Sequence, residues 1–399
     1  MKLILTVGAR PNFMKAAPII DAIHEHNRST ERPIKFILVH SGQHYDEKMS
    51  KLFFEDLGLP KPDINLEVGS ASHAVQTAEI MKKIEKVYKD EGPTHIMVAG
   101  DVNSTLACAL VASKMDIRII HIEAGLRSHD RTMPEEINRI VTDALSDYLF
   151  ITEESARENL LREGVAQEKI FFAGNVMIDT LLKHKQGAGR SAILTQLGLK
   201  PEGNSQVVNY ALLTLHRPSN VDNRHTLRGI LEALSEISKS MLVIFPAHPR
   251  TLKRLREFDL ESYLAQGRNA GMRNSRICCI APLGYLDFLA LMSHAKVVLT
   301  DSGGIQEETT VLGVPCVTLR ENTERPVTVA HGTNIIAGTG KDNIIAAFDT
   351  SIGAHSNGAR ALPPLWDGRA AQRIIQVVAA QEPVFCRERG LYEAAAAGR

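Results

Sequence analysis

Charged and polar residues follow nearly every short apolar run of this sequence. Because the carboxyl ends of parallel strands meet at one edge of a sheet, and ligands bind beyond that edge, we expect these residues to line one cleft. The segments that follow the runs are Gly8-Ala9-Arg10-Pro11 with Lys15, Ser41-Gly42-Gln43-His44, Gly100-Asp101-Val102-Asn103-Ser104, Glu123-Ala124-Gly125-Leu126-Arg127, His216-Arg217-Pro218, His248-Pro249-Arg250 and Asp301-Ser302-Gly303-Gly304. Their convergence predicts a ligand site that contains both acid–base and anion-binding groups.

Three carboxylates are candidates for proton transfer, and each has a structural alternative. Asp101 follows a buried strand, where it can act as a base or cap the next helix. Glu123 ends an apolar run, and burial there suits it to proton transfer, although an ion pair with Arg127 also explains it. Glu135 completes Thr132-Met-Pro-Glu135, the pattern of a capping box, and spacing alone does not separate a cap from a catalyst.

The segment Asp301-Ser-Gly-Gly-Ile-Gln-Glu-Glu308 joins a predicted strand to a predicted helix. Glycines there let backbone N–H groups approach a phosphate, and the start of a helix carries partial positive charge. Ser302 adds a hydroxyl donor, Glu308 can accept both hydroxyls of a ribose, and Arg325 is a second candidate phosphate ligand. An ordinary glycine turn and a surface arginine are the alternatives, since the string is neither a P-loop nor G-x-G-x-x-G.

Histidines at strand ends add further candidates. His216 ends the first long strand of the second half of the chain, where a catalytic and a structural role are both open. The same two roles are open for His44 and His248. No H-E-x-x-H and no close cluster of histidine and aspartate predicts a catalytic metal. No G-x-S-x-G supports a hydrolase with a serine nucleophile.

The composition argues against several other functions. Lys plus Arg and Asp plus Glu both number 46, so the formal net charge is zero, and aromatic residues make up 5% of the 399 residues. A nucleic-acid binder needs a basic excess or aromatic stacking platforms, so none is expected. Five cysteines without C-x-x-C, no apolar run of about 18 residues and no signal peptide predict a cytoplasmic protein without a membrane partner.

Apolar runs that alternate with amphipathic stretches predict two α/β domains with doubly wound parallel sheets. The first domain spans residues 1–184, a linker covers 185–206, and the second domain spans 207–367. The predicted strands are Leu3–Val7, Ile34–Val39, Ile96–Ala99, Ile117–Ile122, Tyr148–Ile151, Ile170–Ala173, Val207–Leu215, Met241–Phe245, Ile277–Ile280, Val297–Thr300 and Cys316–Leu319. The predicted helices include Ala16–His26, Ser104–Lys114 and Gly368–Ala380.

In their order along the chain, eight strings resemble the non-hydrolysing UDP-N-acetylglucosamine 2-epimerase family. They span residues 8–326, which is most of the chain, and the ordered set is far more specific than any one string. The strings are Gly-Ala-Arg-Pro with Lys15, Gly-Gln-His, Gly-Asp-Val-Asn-Ser-Thr, His-Ile-Glu-Ala-Gly-Leu-Arg, Met-Pro-Glu-Glu-Ile-Asn-Arg, Leu-His-Arg-Pro, Asp-Ser-Gly-Gly-Ile-Gln-Glu-Glu and Thr-Glu-Arg-Pro.

The resemblance implies a glycosyltransferase-B arrangement. Two Rossmann-like domains would face each other across a cleft, and a C-terminal helix, residues 368–399, would cross back to the first domain. The implied activity is that of an isomerase, which eliminates UDP from UDP-GlcNAc to give a 2-acetamidoglucal. UDP then adds back after inversion at C2, which yields UDP-ManNAc without a cofactor. A homodimer and a role in cell-surface polysaccharide synthesis are further expectations from the family.

The resemblance also gives each candidate residue a role. The catalytic residues that it implies are Asp101, Glu123, Glu135 and His216. The residues that would hold UDP are Arg10, Lys15, Phe288, Ser302, Gly303, Gly304, Glu308 and Arg325, with Phe288 near the uracil. Some members bind a second UDP-GlcNAc as an activator, and a possible regulatory site in this chain comprises Gln43, His44 and His248.

Two departures from the family pattern keep the substrate and its regulation open. His216-Arg217-Pro218 replaces the His-Arg-Arg-Glu of many members, so activation by a second substrate molecule stays undecided. The stretch between Glu123 and Glu135 is short and resembles that of relatives that act on UDP-2,3-diacetamido-glucuronate or on UDP-glucose. A hydrolysing 2-epimerase that releases ManNAc and UDP, and a UDP-sugar sensor without turnover, are the remaining alternatives.

Overall fold

The structure, a computed structural model, describes residues 1–8, 10–42, 56–201, 206–264, 277–353 and 361–380. The strands in this part of the chain are short and mostly buried. They are β1 (Lys2–Val7), β2 (Lys35–His40), β3 (Ile64–Asn65), β4 (His95–Ala99), β5 (Arg118–Ile122), β6 (Tyr148–Ile151), β7 (Ile170–Phe172), β8 (Tyr210–Thr214), β9 (Leu242–Pro246), β10 (Ile277–Ile280), β11 (Val297–Thr300), β12 (Cys316–Thr318) and β13 (Asn334–Ile336).

The strands form two sheets in which all neighbours run parallel. The strand order is β3-β2-β1-β4-β5-β6-β7 in the first sheet and β10-β9-β8-β11-β12-β13 in the second. Each order reverses once, beside β1 and beside β8, as in doubly wound folds. The prediction of two Rossmann-like domains is therefore confirmed, and we call them the N-terminal and the C-terminal domain.

Helices connect the strands and cover the sheets. They are α1 (Arg10–Arg28), α2 (His73–Glu91), α3 (Asn103–Ser113), α4 (Pro134–Leu145), α5 (Glu154–Arg162), α6 (Val176–Ala188), α7 (Ile193–Gln196), α8 (Pro218–Val221), α9 (Arg224–Ile237), α10 (Pro249–Glu257), α11 (Tyr285–His294), α12 (Gly303–Leu312), α13 (Val327–Ala330), α14 (Lys341–Gly353) and α15 (Ala370–Ala380). None of these described helices is long and apolar enough to cross a membrane.

Both faces of the N-terminal sheet are buried, as successive residues of β1 show. Leu3 and Leu5 lie in a core that they share with α1, whereas Ile4 lies in a second core with α2 and α3. Strands that are covered on both faces have nearly continuous apolar sequences. This burial explains why the longer strands stand out in the sequence.

The strand boundaries follow the predictions within a few residues, with two omissions. β3 contains only two residues, which is too short for a periodic pattern to indicate it, and β13 contains only two apolar residues after Asn334. The predicted linker is partly helical, because it contains the end of α6 and all of α7, whose Ile193 and Leu194 are buried. Residues 202–205 of that linker lie outside the described residues, and the domain boundaries stay a prediction.

The helix α15 returns to the N-terminal domain and packs against α1 and α6. Its first amides, those of Ala370 and Ala371, donate to the carboxylate of Asp179 in α6 at 3.1 and 2.7 Å. The partial positive charge at the start of a helix also favours a carboxylate there. Asp179 therefore fastens α15 to the first domain. The rest of the predicted C-terminal helix, residues 381–399, lies outside the described residues.

We expect Asp179→Ala to lower the free energy of unfolding by about 1–3 kcal/mol, because two amides of α15 lose their acceptor. Urea denaturation followed by circular dichroism measures this change. The matched control is Asp349→Ala at an exposed position of α14, for which we expect a change within about 0.5 kcal/mol. Equal effects of the two substitutions would show that Asp179 does not fasten α15.

Candidate active site

Ionisable side chains from both domains meet beyond the carboxyl ends of the two sheets. In the N-terminal domain, Lys15 lies on α1, while Asp101 and Glu123 follow β4 and β5. In the C-terminal domain, His216 follows β8, and Arg325 lies in the loop between β12 and α13. These are the edges where doubly wound sheets bind ligands, so the structure places these five predicted residues where the sequence analysis expected them.

Glu123 is the centre of a buried ion triad that joins the two domains. Its Oε2 lies 2.7 Å from Lys15 Nζ, and its Oε1 accepts a 2.8 Å hydrogen bond from Arg325 Nη2. The three side chains are at most 8% exposed. The alternative ion pair of Glu123 with Arg127 is wrong, because the Arg127 guanidinium lies 2.7 Å from Asp143 instead.

Two left-handed backbone conformations support the ion triad. Glu123 itself has a φ of 69°, which residues other than glycine rarely adopt, and its N–H donates to the Phe150 carbonyl at 3.1 Å. Gly100 has a φ of 70°, and a Cβ at this position would lie 2.7 Å from Lys15 Nζ. This conformation favours glycine at position 100, and the missing side chain also leaves room for the Lys15 ammonium.

Asp101 is partly buried and binds the guanidinium of Arg139 at 3.0 Å. It does not cap the next helix, because α3 begins after Val102 without a side-chain cap. Burial opposes the ionisation of Asp101, but the charges of Arg139, Lys15 and Arg325 outweigh it and lower its pKa. Asp101 is thus a carboxylate at neutral pH, as a general base must be.

Glu135 is half-buried on the first turn of α4. The predicted capping box is not formed, because the N-cap is Met133 and Thr132 bonds to Asp130 instead. The reason is Pro134, which occupies the first helical turn and favours an extended conformation in the residue before it. Among the described residues, Glu135 takes no part in the ion triad, so its catalytic role stays a prediction.

His216 is half-exposed, and its Nδ1 lies 2.9 Å from Oδ1 of the fully buried Asp301. Asp301 also accepts the backbone N–H groups of His216 and Arg217, both at 2.9 Å. Burial opposes the ionisation of Asp301, but His216 and these N–H groups lower its pKa. This pairing leaves Nε2 as the imidazole nitrogen available to a ligand. Among the described residues, no three histidine, cysteine or carboxylate side chains are arranged to hold a metal ion.

The segment that was predicted to bind phosphate opens α12, with Ser302 at the N-cap and Gly303 as the first helical residue. A Cβ on Gly303 would lie 3.3 Å from the guanidinium of Arg325, so the missing side chain lets Arg325 lie against the helix start. A Cβ on Gly304 would lie 3.2 Å from Met177 of α6. The helix start and the guanidinium together suit an anionic group, and the predicted contacts with UDP stay a prediction.

Glu307, which the sequence patterns did not indicate, is a second carboxyl partner of Arg325, at a different guanidinium nitrogen from the one that Glu123 contacts. Its Oε1 lies 3.0 Å from Arg325 Nε, and its carboxyl group is fully buried. Burial raises the pKa of Glu307 to about 7, a shift that Arg325 opposes and Glu123 reinforces. No sequence pattern indicates this contact, because Glu307 and its neighbour Glu308 are both helical carboxylates and consecutive residues of a helix face different directions.

Glu308 and Phe288 are the two residues predicted to hold the nucleoside. Glu308 is buried, and its Oε1 accepts a 3.0 Å hydrogen bond from the hydroxyl of Tyr285. Burial raises the pKa of Glu308 to about 8, against the effect of that hydrogen bond. Phe288 is half-buried in the first turn of α11, the helix that also carries Tyr285. The roles of both residues toward a nucleoside stay predictions.

Four other predicted residues are not part of the described site. Arg10 opens α1, but its side chain lies outside the described residues, as do Gln43 and His44. His248 is exposed at the start of α10, where its Nδ1 accepts the N–H of Arg250 at 3.3 Å. His248 is therefore a helix cap, and a regulatory role for it stays a prediction.

A second network of ion pairs, also missed, links the domains beside the triad. The buried Glu324 lies 2.8 Å from Arg320 in its own domain and 3.4 Å from Arg139 in the N-terminal domain. Burial opposes the ionisation of Glu324, but the neighbouring guanidinium groups hold its pKa well below the usual range. The partners across the cleft are 185 residues apart, so no spacing in the sequence could indicate them.

Glu153, at the end of β6, lines a cavity of about 270 Å³ between the two domains. The opposite side of this cavity is lined by Pro326, Val327 and His331, and a further side is lined by Pro363. Burial raises the pKa of Glu153 to about 7, although a hydrogen bond from Ser155 and the charge of Arg325 oppose this shift. Near neutral pH, this carboxyl group therefore holds a proton in part of the molecules.

The fold and the site define a class of protein. Two doubly wound domains hold a cleft that combines buried carboxylates with cations and a helix start, as in an α/β enzyme that binds an anionic ligand and transfers protons. The family model for UDP-N-acetylglucosamine 2-epimerase matches residues 26–379, and the chain belongs to this family, whose members are isomerases with the glycosyltransferase-B arrangement.

Individual relatives agree with this assignment along nearly their whole length. The UDP-N-acetylglucosamine 2-epimerase of Methanocaldococcus jannaschii is 44% identical over 382 residues, which are 95% of this chain and 99% of the relative. A crystal structure of that organism's enzyme with UDP-GlcNAc and UDP has a TM-score of 0.85 and covers 96% of this chain and 100% of its own. The UDP-2,3-diacetamido-2,3-dideoxy-D-glucuronate 2-epimerase of Pseudomonas aeruginosa is 40% identical over 356 residues, 88% of this chain and 93% of the relative.

We expect Glu153→Gln to weaken the pH dependence of stability. The pKa of Glu153 is about 7 in the folded protein against an ordinary value of 4.5, so between these values the folded state retains a proton that the unfolded state releases. Glu153 therefore lowers stability as the pH rises from about 4.5 to 7. The urea concentration at the midpoint of unfolding, measured from pH 5 to pH 8, should fall less with rising pH in Glu153→Gln than in the unmodified protein.

The matched control for this pH series is Glu158→Gln. Glu158 lies on α5, is 67% exposed and pairs with Arg162 on the surface. Its substitution should leave the slope of the midpoint against pH unchanged. If Glu153→Gln has the same slope as this control, Glu153 is not one of the groups that titrate.

Proposed function

We propose that this protein interconverts UDP-GlcNAc and UDP-ManNAc by elimination and re-addition of UDP. The observation that carries the proposal is the buried triad of Lys15, Glu123 and Arg325, which places a carboxylate and two cations at one point between the domains. Elimination needs both kinds of group, because a proton leaves C2 while negative charge develops on the departing UDP. Family membership adds the reaction type.

The departing diphosphate is stabilised by groups that already face one another. Arg325 is held between Glu123 and Glu307, so its guanidinium is fixed before a ligand arrives. The start of α12 at Gly303 lies against it and supplies backbone N–H groups. In the elimination, the C1–O bond breaks, its electron pair stays on the oxygen of UDP, and these donors stabilise the charge. His216 adds an imidazole at the same edge.

Proton transfer at C2 is assigned to Asp101 and Glu123. They follow the adjacent strands β4 and β5, so two carboxylates stand at one edge of the sheet. In the absence of a ligand, Lys15 and Arg325 contribute to the lowered pKa of Asp101. A bound diphosphate compensates those two charges, and Asp101 then becomes a stronger base when the substrate is present. Return of a proton to the opposite face of C2 inverts the configuration.

Similarity alone leaves the substituents of the sugar open. The Methanocaldococcus jannaschii relative is named for UDP-N-acetylglucosamine, and the Pseudomonas aeruginosa relative for UDP-2,3-diacetamido-2,3-dideoxy-D-glucuronate. Their identities to this chain are 44% and 40%, and we place UDP-GlcNAc first because both the more similar relative and the matching complex concern it. A cytoplasmic homodimer that supplies cell-surface polysaccharide synthesis completes the proposal.

Epimerisation in D2O tests both the reaction and the substrate. We expect the recovered UDP-GlcNAc and UDP-ManNAc to carry deuterium at C2, because the proton removed by a carboxylate exchanges with solvent before it returns. NMR of a panel that includes UDP-GlcNAc, UDP-2,3-diacetamido-glucuronate and UDP-glucose identifies the substrate. Release of free ManNAc would indicate the hydrolysing reaction, binding without exchange would indicate a sensor, and unlabelled epimer would contradict the elimination.

Asp101→Asn and Glu123→Gln should each lower kcat by about 100-fold or more, because each removes a group that accepts or returns the proton. Calorimetry should show that both variants still bind UDP, and binding to Glu123→Gln should not weaken, because this change removes a carboxylate that competes for Lys15 and Arg325. Glu79→Gln, at a partly exposed position of α2 where Glu79 pairs with Lys82, is the control for the same change from acid to amide. Near-normal kcat in both variants would remove Asp101 and Glu123 from the mechanism.

A further inference from the structure

Arg139 of α4 contacts carboxylates on both sides of the cleft through its three guanidinium nitrogens. Its Nε donates to Asp101 Oδ2 at 3.0 Å, its Nη1 donates to Glu136, and its Nη2 lies 3.4 Å from Glu324 Oε1. The residue is only 2% exposed. A single arginine therefore connects a carboxylate of the candidate active site with the opposite domain.

On the N-terminal side, α4 holds the two loops that carry the acid–base groups. Glu136 accepts the N–H groups of Ser128 and His129 at 3.0 and 2.9 Å, in the segment that follows β5. Asn138 donates to the backbone oxygen of Asp101 at 2.8 Å, in the segment that follows β4. A change in the position of α4 is thus transmitted to both loops.

On the C-terminal side, Glu324 lies at the cleft between the domains. It pairs with Arg320 at 2.8 Å and lies 3.8 Å from Arg217 and 4.0 Å from Arg325. Glu324 also contacts Arg139, which comes from the N-terminal domain, whereas its other three arginine partners come from its own domain. A nearby contact between Asn322 and the Ser128 carbonyl, at 3.5 Å, crosses the cleft beside it.

We propose that Arg139 is a positioning residue that couples closure of the cleft to the orientation of Asp101, an inference that rests on the proposed function. While Glu324 is in place, the guanidinium is held from both sides and presents a fixed Nε–H to Asp101. When the domains separate, Nη2 loses its partner, and both Arg139 and Asp101 gain freedom to turn. Asp101 is then aligned for proton transfer only in the closed state, in which substrate is enclosed.

A purely structural ion pair makes a different prediction. Its loss would lower stability but would leave the turnover of each folded molecule unchanged. Substitution by lysine distinguishes a structural role from a positioning role. Lysine keeps the positive charge at position 139, but it lacks the planar guanidinium whose three nitrogens contact Asp101, Glu136 and Glu324. Arg139→Lys should therefore restore much of the thermal stability that Arg139→Gln loses without restoring kcat.

The kinetic test is a double-mutant cycle of Arg139→Gln and Glu324→Gln, with Arg139→Lys beside it. We expect Arg139→Gln to lower kcat about 100-fold with KM within about 3-fold, and Arg139→Lys to keep less than about a tenth of kcat. Glu324→Gln should cost about 10-fold in the unmodified protein and less than about 2-fold in the Arg139→Gln background. Independent, multiplicative effects of the two substitutions would overturn the coupling.

Arg373→Gln is the control for the loss of a partly buried arginine away from the cleft. Arg373 donates to the Ala173 carbonyl at 2.9 Å and fastens α15 within the N-terminal domain. We expect it to lower thermal stability while kcat stays within about 2-fold of the unmodified protein. A loss of kcat as large as that of Arg139→Gln would show that reduced stability alone explains both variants.

Closure is measured separately, by hydrogen exchange of residues 320–325 with and without UDP. We expect UDP to slow exchange there in the unmodified protein and to do so less in Arg139→Gln, although calorimetry still detects UDP binding. If no UDP-sugar is epimerised but this protection depends on Arg139, the proposed function fails and the coupling between domains stands. If the unmodified protein epimerises its substrate and Arg139→Gln keeps full kcat, the coupling fails and the proposed function stands.

Discussion

The contact between Glu123 and the two cations Lys15 and Arg325 is the interaction on which the site depends. A buried carboxylate is tolerated only when it is paired, and one of its partners comes from the opposite domain. The docking of the domains therefore completes the pairing of Glu123. A diphosphate that enters the cleft competes for the same two cations. In the proposed reaction, substrate binding thus releases the Glu123 carboxylate from part of its pairing when the proton is to be exchanged.

The backbone around this contact is shaped to permit it. Glu123 adopts a left-handed conformation with φ of 69°, which costs free energy and persists because the surrounding sheet and ion pairs fix it. Gly100, on the adjacent strand end, leaves the volume that the Lys15 ammonium occupies. Gly303 does the same for the Arg325 guanidinium. Two positions without side chains thus leave room for the two cations, and the sequence shows them only as glycines after strand ends.

The sequence predicts what is local and misses what is formed between distant segments. The longer strands and the polar residues after them are visible, because a doubly covered parallel strand is a continuous apolar run. The predicted capping box of Thr132 and Glu135 does not form. Pro134 makes Met133 the N-cap of the helix, and Thr132 bonds to Asp130 instead. The contact of Arg139 with Glu324 has no signature, because its two members are brought together only when separate domains dock. Resemblance to a family supplied roles, but not this contact.

The formal net charge of zero for the whole chain does not describe the charge of the cleft. That count takes every carboxyl group as ionised. Burial raises the pKa of Glu153 to about 7 and that of Glu308 to about 8, so each holds a proton in part of the molecules at neutral pH, and burial also raises the pKa of Glu307. The cationic side chains of Lys15, Arg139 and Arg325 lie in the same cleft. The cleft is therefore more positive than the sequence count suggests, which favours a diphosphate. As that anion neutralises the cations, it also raises the proton affinity of the carboxylates beside it, and binding and acid–base chemistry become parts of one electrostatic balance.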